Sequence, residues 1–146
     1  MKNSQLLTKI FGSCRKPLLA ISLGCVFIIS NTSSAQEPVR IAFMDPLSGT
    51  FASIGNTGKT ILEFAADYFY NSKGGILGGR MIEIVPLDNK QSPTETQLQF
   101  RRAISDDLHI IFQGNSSAVA STLSQTISRH NRRNPEQEVL QINYSA

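Results

Sequence analysis

Tryptophan is absent from the sequence, and its two cysteines, Cys14 and Cys25, both fall near the N-terminus. Everything after residue 25 must therefore fold without disulfides and can offer no thiolate to a metal. Small secreted folds usually need such staples, so a cysteine-free segment of this length has to bury a core of its own. Histidine is scarce as well. His109 and His130 lack ligand spacing, and neither a metal site nor any other cofactor is expected. No apolar run reaches transmembrane length, since Leu18–Ser30 is too short and wrongly flanked. Charge of one sign is missing too. The whole chain carries +3, but all eleven acidic residues and only ten of the fourteen Lys and Arg follow residue 35, which leaves that part near −1. The basic pI of about 9.1 belongs to the N-terminal segment. No basic face with interleaved aromatics points to nucleic acid, and there is no internal repeat, low-complexity tract or heptad pattern.

The first 35 residues have the layout of a secretory signal. Lys2, Lys9, Arg15 and Lys16 form a basic head, Leu18–Ser30 an apolar middle, and Ser33-Ser34-Ala35 a small-residue cleavage site before Gln36. Export to the periplasm is expected, with residues 36–146 as the working part. A lipid-anchored form is the alternative, because Leu23-Gly24-Cys25 resembles part of a lipid-attachment box. Against it, Ser22 stands where that box usually has an aliphatic residue, and four apolar residues follow Cys25.

Periodicity organises the rest. Val39–Met44 predicts a buried strand, and a loop runs to about Gly55. Ile61, Leu62, Ala65, Tyr68 and Phe69 recur at helical spacing, predicting an amphipathic helix over roughly Asn56–Ser72, closed by Gly74-Gly75. Gly78-Gly79 marks a second turn and Arg80–Leu87 a second strand. Ser92-Pro93-Thr94-Glu95 is a helix start with the makings of a capping box, and that helix runs to about Ser105. Leu108–Phe112 predicts a third strand. Ser116 or Ser117 opens a third helix with Val119, Ala120, Leu123 and Ile127 on one face. Asn131–Gln137, with Pro135, predicts a loop before a fourth strand at Glu138–Ile142.

This β-α-β-α-β-α-β order implies an α/β fold: a parallel sheet with helices on both faces. Right-handed crossovers favour a topology with the first strand between the second and third. Ligands in such sheets bind beyond the carboxyl ends of the strands where the order reverses. Two loops fall there, Asp45-Pro46-Leu47-Ser48-Gly49-Thr50 and Gly114-Asn115-Ser116-Ser117. Both combine small side chains, hydroxyls and backbone N–H groups at a helix start, which suits a small polar or anionic ligand.

Five segments resemble a known family. They are Val39–Gly49, the turn Asn71-Ser72-Lys73-Gly74-Gly75-Ile76-Leu77-Gly78-Gly79-Arg80, the stretch Asp88–Pro93, the loop Gly114–Ser117, and Ile142-Asn143-Tyr144-Ser145-Ala146. Their order and spacing are similar to those of periplasmic leucine/isoleucine/valine-binding proteins, the substrate-binding components of branched-chain amino-acid ABC transporters. The resemblance implies two α/β lobes of type I periplasmic binding protein architecture, joined by a hinge around a ligand cleft. Residues 36–146 would be the N-terminal part of such a leucine-binding-like domain, incomplete and without the second lobe. It further implies that Ser116 takes the ligand's carboxylate through hydroxyl and backbone, that Ser145 makes a backbone contact, and that Ile54 stands where an aromatic often covers the ligand side chain. Gln91 and Asn115 occupy places that some members join by a disulfide. Asn143-Tyr144 replaces the family's Ser-Pro, and Arg129–Gln137 is longer and more polar than is common.

The residues themselves leave alternatives open. Ser116 is either a ligand donor or a plain N-cap, and Ser117 is balanced between the same roles. Ser48-Gly49-Thr50 reads more readily as a turn. The glycine pairs follow a helix and precede a strand, the wrong order for a phosphate loop. Gly114-Asn115-Ser116-Ser117-Ala118 approaches the nucleophile elbow of hydrolases, but no base is apparent, so no catalytic residue is assigned. Asp45 and Asp88 read as turn-capping carboxylates, and Arg129, Arg132 and Arg133 as a solvated helix end. The expected function is an exported solute-binding component that binds an amino acid or related small carboxylate or amide and presents it to an inner-membrane ABC permease. The alternatives are an extracellular sensory domain of the same fold and a small secreted hydrolase using Ser116.

Overall fold

The computed structural model describes residues 36–145, so the expected signal segment and both cysteines lie outside the described residues. Four strands, β1 (Val39–Asp45), β2 (Ile82–Asp88), β3 (Ile110–Gln113) and β4 (Leu140–Asn143), alternate with three helices, α1 (Ala52–Phe69), α2 (Pro93–Ser105) and α3 (Ser117–Arg133). All pairings are parallel and the order is β2-β1-β3-β4, with β1 between β2 and β3 as the topology predicts. β1 pairs with β2 from Val39↔Ile82 to Asp45↔Asp88. Pro86, which cannot donate a ladder bond, is accommodated because β2 is an edge strand.

Side-chain alternation along the strands divides the two faces. Ala42 and Met44 on β1, Leu87 on β2 and Ile111 on β3 turn to one face and pack with Phe100 and Ala103 of α2 and Leu123 and Ile127 of α3. Phe43 and Phe112 turn to the other, where Gly58, Leu62 and Ala65 of α1 share an apolar groove of about 260 Å³ with them. The core therefore lies mainly on the α2/α3 side.

Local chemistry sets two of the three helix starts. Ser92 caps α2, its Oγ accepting from the Glu95 N–H at 3.3 Å, and Pro93 occupies the first turn. The capping box is only half formed. The Glu95 carboxylate accepts from Gln99 Nε2 and pairs with Lys90, while the Ser92 N–H donates to the Asn89 carbonyl. Ser116 caps α3, accepting from the Val119 N–H at 3.4 Å.

Several boundaries depart from expectation. α1 begins at Ala52, four residues early, with no side-chain cap at Phe51 to mark the start. It ends at Phe69, and a 3₁₀ turn at Asn71–Lys73 leads to Gly74 in the left-handed conformation (φ +94°). β2 starts at Ile82 because Arg80 is drawn into a bridge with Ile76. α3 continues to Arg133, through the first residues of the expected loop, and Pro135 enters a short 3₁₀ turn. The apolar stripe of α1 is not fully buried: Ile61, Tyr68 and Phe69 are 62%, 56% and 54% exposed. Among the described residues no second helix lies beside α1 on its face of the sheet.

Gly55 fixes how α1 meets the first loop. A Cβ there would lie 1.9 Å from the Pro46 carbonyl oxygen. Gly55→Ala must push the helix off the loop and should lower stability by about 1–3 kcal/mol, as overpacking does. A reduced urea midpoint is the expected result, and an unchanged midpoint would contradict this packing.

Candidate functional site

The carboxyl ends of β1, β3 and β4 gather the loops at one edge of the sheet. In the loop after β1, the Leu47 N–H and the Ser48 hydroxyl donate to the Asp88 carboxylate at 2.9 and 2.6 Å. The Lys90 N–H adds a third bond at 3.0 Å. Asp88 is thus a turn-capping carboxylate, as expected. The Ser48 hydroxyl proton is already committed to it, whereas Ser116 Oγ only accepts, from the Val119 N–H, and keeps its proton to donate.

Asp45 does more than cap a turn. It is fully buried at the end of β1, and its Oδ1 accepts from the Gly114 and Asn115 N–H groups at 3.3 and 3.2 Å. Turned over, the Gln113 amide would present its oxygen to the same two N–H groups, so a second acceptor backs the carboxylate. The other oxygen of Asp45 accepts from the Tyr144 hydroxyl in a short hydrogen bond. Tyr144 also donates its N–H to the Gln113 carbonyl at 3.2 Å, and its ring stacks on Phe43 at 6.1 Å between centroids. Two glycines make room for that ring. A Cβ at Gly114 would lie 2.5 Å from it, and one at Gly58 would lie 2.9 Å from the hydroxyl oxygen. Asp45 and Tyr144 together tie β1, the loop before α3 and the end of β4 into one unit.

The electrostatics follow from this burial. Desolvation pushes the Asp45 carboxyl above 3.8, against the hydrogen bonds from Tyr144, Gly114 and Asn115 that pull it down. Burial and the neighbouring Asp45 carboxylate both push the Tyr144 phenol up, so it stays protonated and donating. Asp88 is the reverse case: modest desolvation raises it, but bonds from Ser48, Leu47 and Lys90 outweigh this and hold it below 3.8.

Ser116, Ser117, Ser145 and Ile54 all reach this edge, in two groups. Ser116, half-buried, opens α3, and Ser117 is exposed in its first turn. The N–H groups of Ser117 and Ala118 have no acceptor among the described residues, as befits a helix start. Buried beside them, the Asn115 side-chain nitrogen has no hydrogen-bond partner. Ile54, 55% exposed, lines a separate groove of about 380 Å³ with Ser53, Thr57, Gly58, Ile61 and Tyr144. Ser145 is exposed, its N–H donating to Asn143 Oδ1 at 3.1 Å. Tyr144 therefore links the two groups, a role that sequence reasoning missed. The only signal was its replacement of a proline in the family pattern.

Among the described residues no histidine lies near Ser116 to serve as a base. His109 stands before the opposite end of β3, held by Asp107 and the Glu138 carbonyl. His130 is fourteen residues along, roughly 20 Å at the helical rise. Among the described residues no group of three or more His, Cys, Asp or Glu is placed to hold a metal.

A parallel sheet with helices on both faces and a hydroxyl-bearing helix start at its switch point defines the class, an α/β lobe. Residues 38–133 match the periplasmic binding protein family, and the chain belongs to that family. Over 126 residues it is 31% identical to Leu/Ile/Val-binding protein homolog 4 of Brucella abortus, covering 86% of this chain and 30% of the relative. The closed conformation of the leucine-, isoleucine-, valine-, threonine-, and alanine-binding protein of Brucella ovis matches with a TM-score of 0.69 at 35% identity. That match covers 76% of this chain and 28% of the other. A branched-chain amino acid transporter substrate-binding protein of Streptococcus pneumoniae, in complex with isoleucine, shares the fold at a TM-score of 0.62 and 22% identity. It covers 75% of this chain and 29% of that one. The fold is thus part of one type I lobe, and the chain spans 30% of the length of the curated relatives it matches.

Tyr144→Phe removes one donor from a buried carboxylate and should cost about 1.5–3 kcal/mol near neutral pH. The cost depends on pH with a definite sign. Asp45 titrates above 3.8 in the folded chain, so its favourable contribution is present at acid pH and is lost as pH rises through the folded value. Without the phenol the folded value rises further. The variant's deficit should therefore be largest near pH 7 and shrink toward about pH 4. Urea midpoints at the two pH values test this, and an equal deficit at both would contradict it.

Proposed function

We propose that this chain supplies the first-lobe grip of an exported solute-binding component of an ABC transporter. The single observation that carries this is the start of α3 at the sheet's switch point, where Ser116 and the unpartnered N–H groups of Ser117 and Ala118 gather. A helix start with a hydroxyl beside it is a carboxylate site. Family membership and relatives named for binding leucine, isoleucine and valine support an amino acid, or a related small carboxylate or amide, as the ligand.

Each residue has a chemical part. The Ser116 hydroxyl and the Ser117 and Ala118 N–H groups take the α-carboxylate. Ser145 contributes backbone, and Ile54 with Tyr144 borders the ligand side chain. Asp45 bears its charge just beneath, but its oxygens are engaged by Gly114, Asn115 and Tyr144, so the loop presents donors to the ligand. Nothing reacts. A second lobe closes over the ligand, contacts made only in the closed form shift the open–closed equilibrium, and a permease in the inner membrane reads the closed form. Residues 1–35 direct export to the periplasm and residues 36–146 form the ligand-binding part.

A chimera tests the role directly. Residues 36–145 replace the matching segment of the Brucella ovis protein, and amino-acid binding is measured by isothermal titration. The chimera should bind a branched-chain or small amino acid. Ser116→Ala should weaken binding by about tenfold or more, the loss of one hydrogen bond to a charged group. Residues 36–146 alone should bind negligibly. A chimera that binds none of these, or binds equally well without the Ser116 hydroxyl, would overturn the assignment.

A further inference from the structure

The described residues contain ten Lys and Arg side chains, and six have a partner beyond their own helix backbone. Arg40 pairs with Glu83, Lys59 with Glu63, Lys90 with Glu95 and Arg102 with Asp106. Arg80 donates to the Glu37 and Pro38 carbonyls, and Lys73 lies over the Tyr68 and Phe69 rings. The other four are Arg101, Arg129, Arg132 and Arg133. Arg129 bonds only the Gln125 carbonyl one turn back, and the remaining three make no bond or ion pair.

Three of those four converge. Arg101 from α2 and Arg129 and Arg133 from α3 line one groove of about 300 Å³, with Phe100 and His130 among its walls. The His130 ring meets Phe100 edge-on at 5.5 Å and is held by the Gln137 carbonyl. No acidic residue lines the groove. α2 and α3 together carry five arginines and one acid, Glu95, in a segment whose total charge is near −1. The helix dipole favours arginines near the end of each helix. It does not account for arginines from two helices lining one cleft with no carboxylate among its walls, a concentration of like charge that an anion would relieve.

We propose that the α2/α3 groove is a binding site for a phosphate-class oxyanion, separate from the amino-acid edge. Guanidinium forks match the tetrahedral oxygens of phosphate in bidentate pairs. Gln97, which also lines the groove, offers a neutral amide donor. Arg129 and Arg133 stand roughly 20–25 Å along α3 from Ser116 at the helical rise, so the groove can fill without touching that loop. The oxyanion comes either from free phosphate or pyrophosphate, or from a phospholipid headgroup.

The test uses the exported chain and three probes: inorganic phosphate, pyrophosphate, and vesicles of phosphatidylglycerol against phosphatidylcholine. Wild type should bind pyrophosphate more tightly than phosphate. Arg101→Gln and Arg133→Gln should each weaken binding by about tenfold, the loss of a charge-assisted pair. The triple variant with Arg129→Gln should abolish it. Arg102→Gln, on the same helix but paired with Asp106, should leave binding unchanged. Glutamine keeps helix propensity, and circular dichroism confirms folding of every variant. Retention on phosphatidylglycerol alone, lost in the triple variant, assigns the headgroup source. Pyrophosphate binding without vesicle retention assigns the free one. Binding of none of the three probes, an equal loss in Arg102→Gln, or tighter binding of polyglutamate than of pyrophosphate overturns the proposal.

Discussion

A buried carboxylate organises the carboxyl edge of this sheet. Asp45 ends the central strand with no exposure to solvent, and leaving it there unpartnered would be prohibitive. Its partners come from two other places in the fold, the N–H groups of Gly114 and Asn115 after β3 and the hydroxyl of Tyr144 after β4. Meeting that single demand sets the loop before α3, and with it the height at which Ser116 and the first N–H groups of the helix stand. The bareness of Gly114 and Gly58 has the same origin, since the tyrosine ring needs the space a Cβ would fill.

The carboxyl edge of the sheet thus has a hydrogen-bonded lower layer beneath an unsatisfied upper one. Below, Asp45 and Asp88 use up the donors nearest them. Above, the donors at the start of α3 and the Asn115 side-chain nitrogen are left over. Donors already fixed in place spare a bound group the cost of reorienting them, which is the physical advantage such a division would give the proposed site. The apolar groove beside α1 and the exposed stripe of Ile61, Tyr68 and Phe69 belong to a face that the described residues cover only in part.

Much of this was legible in the residues, for local reasons. Ser92 and Pro93 announce α2, Ser116 announces α3, and alternation of short apolar runs with helical spacing implies a parallel sheet whose order right-handed crossovers nearly settle. The start of α1 was not legible, because Phe51 bears no capping group. The end of α3 was obscured by polar residues that are solvated helix rather than loop. The bond between Asp45 and Tyr144 joins residues 99 positions apart, and no periodicity reports a contact of that range. Arg129, Arg132 and Arg133 read in the sequence as a solvated helix end, and only the fold shows that Arg129 and Arg133 line one groove with Arg101 of α2.

Asp45 holds the serine-bearing loop through the backbone N–H groups of Gly114 and Asn115. Following the amide shifts of Gly114 and Asn115 through a pH titration tests it most directly. Both amides should move with one apparent pKa, shared with the Asp45 carboxyl carbon and lying above the ordinary aspartate value of 3.8. Amides that stay flat, or that follow Asp88 instead, would contradict it.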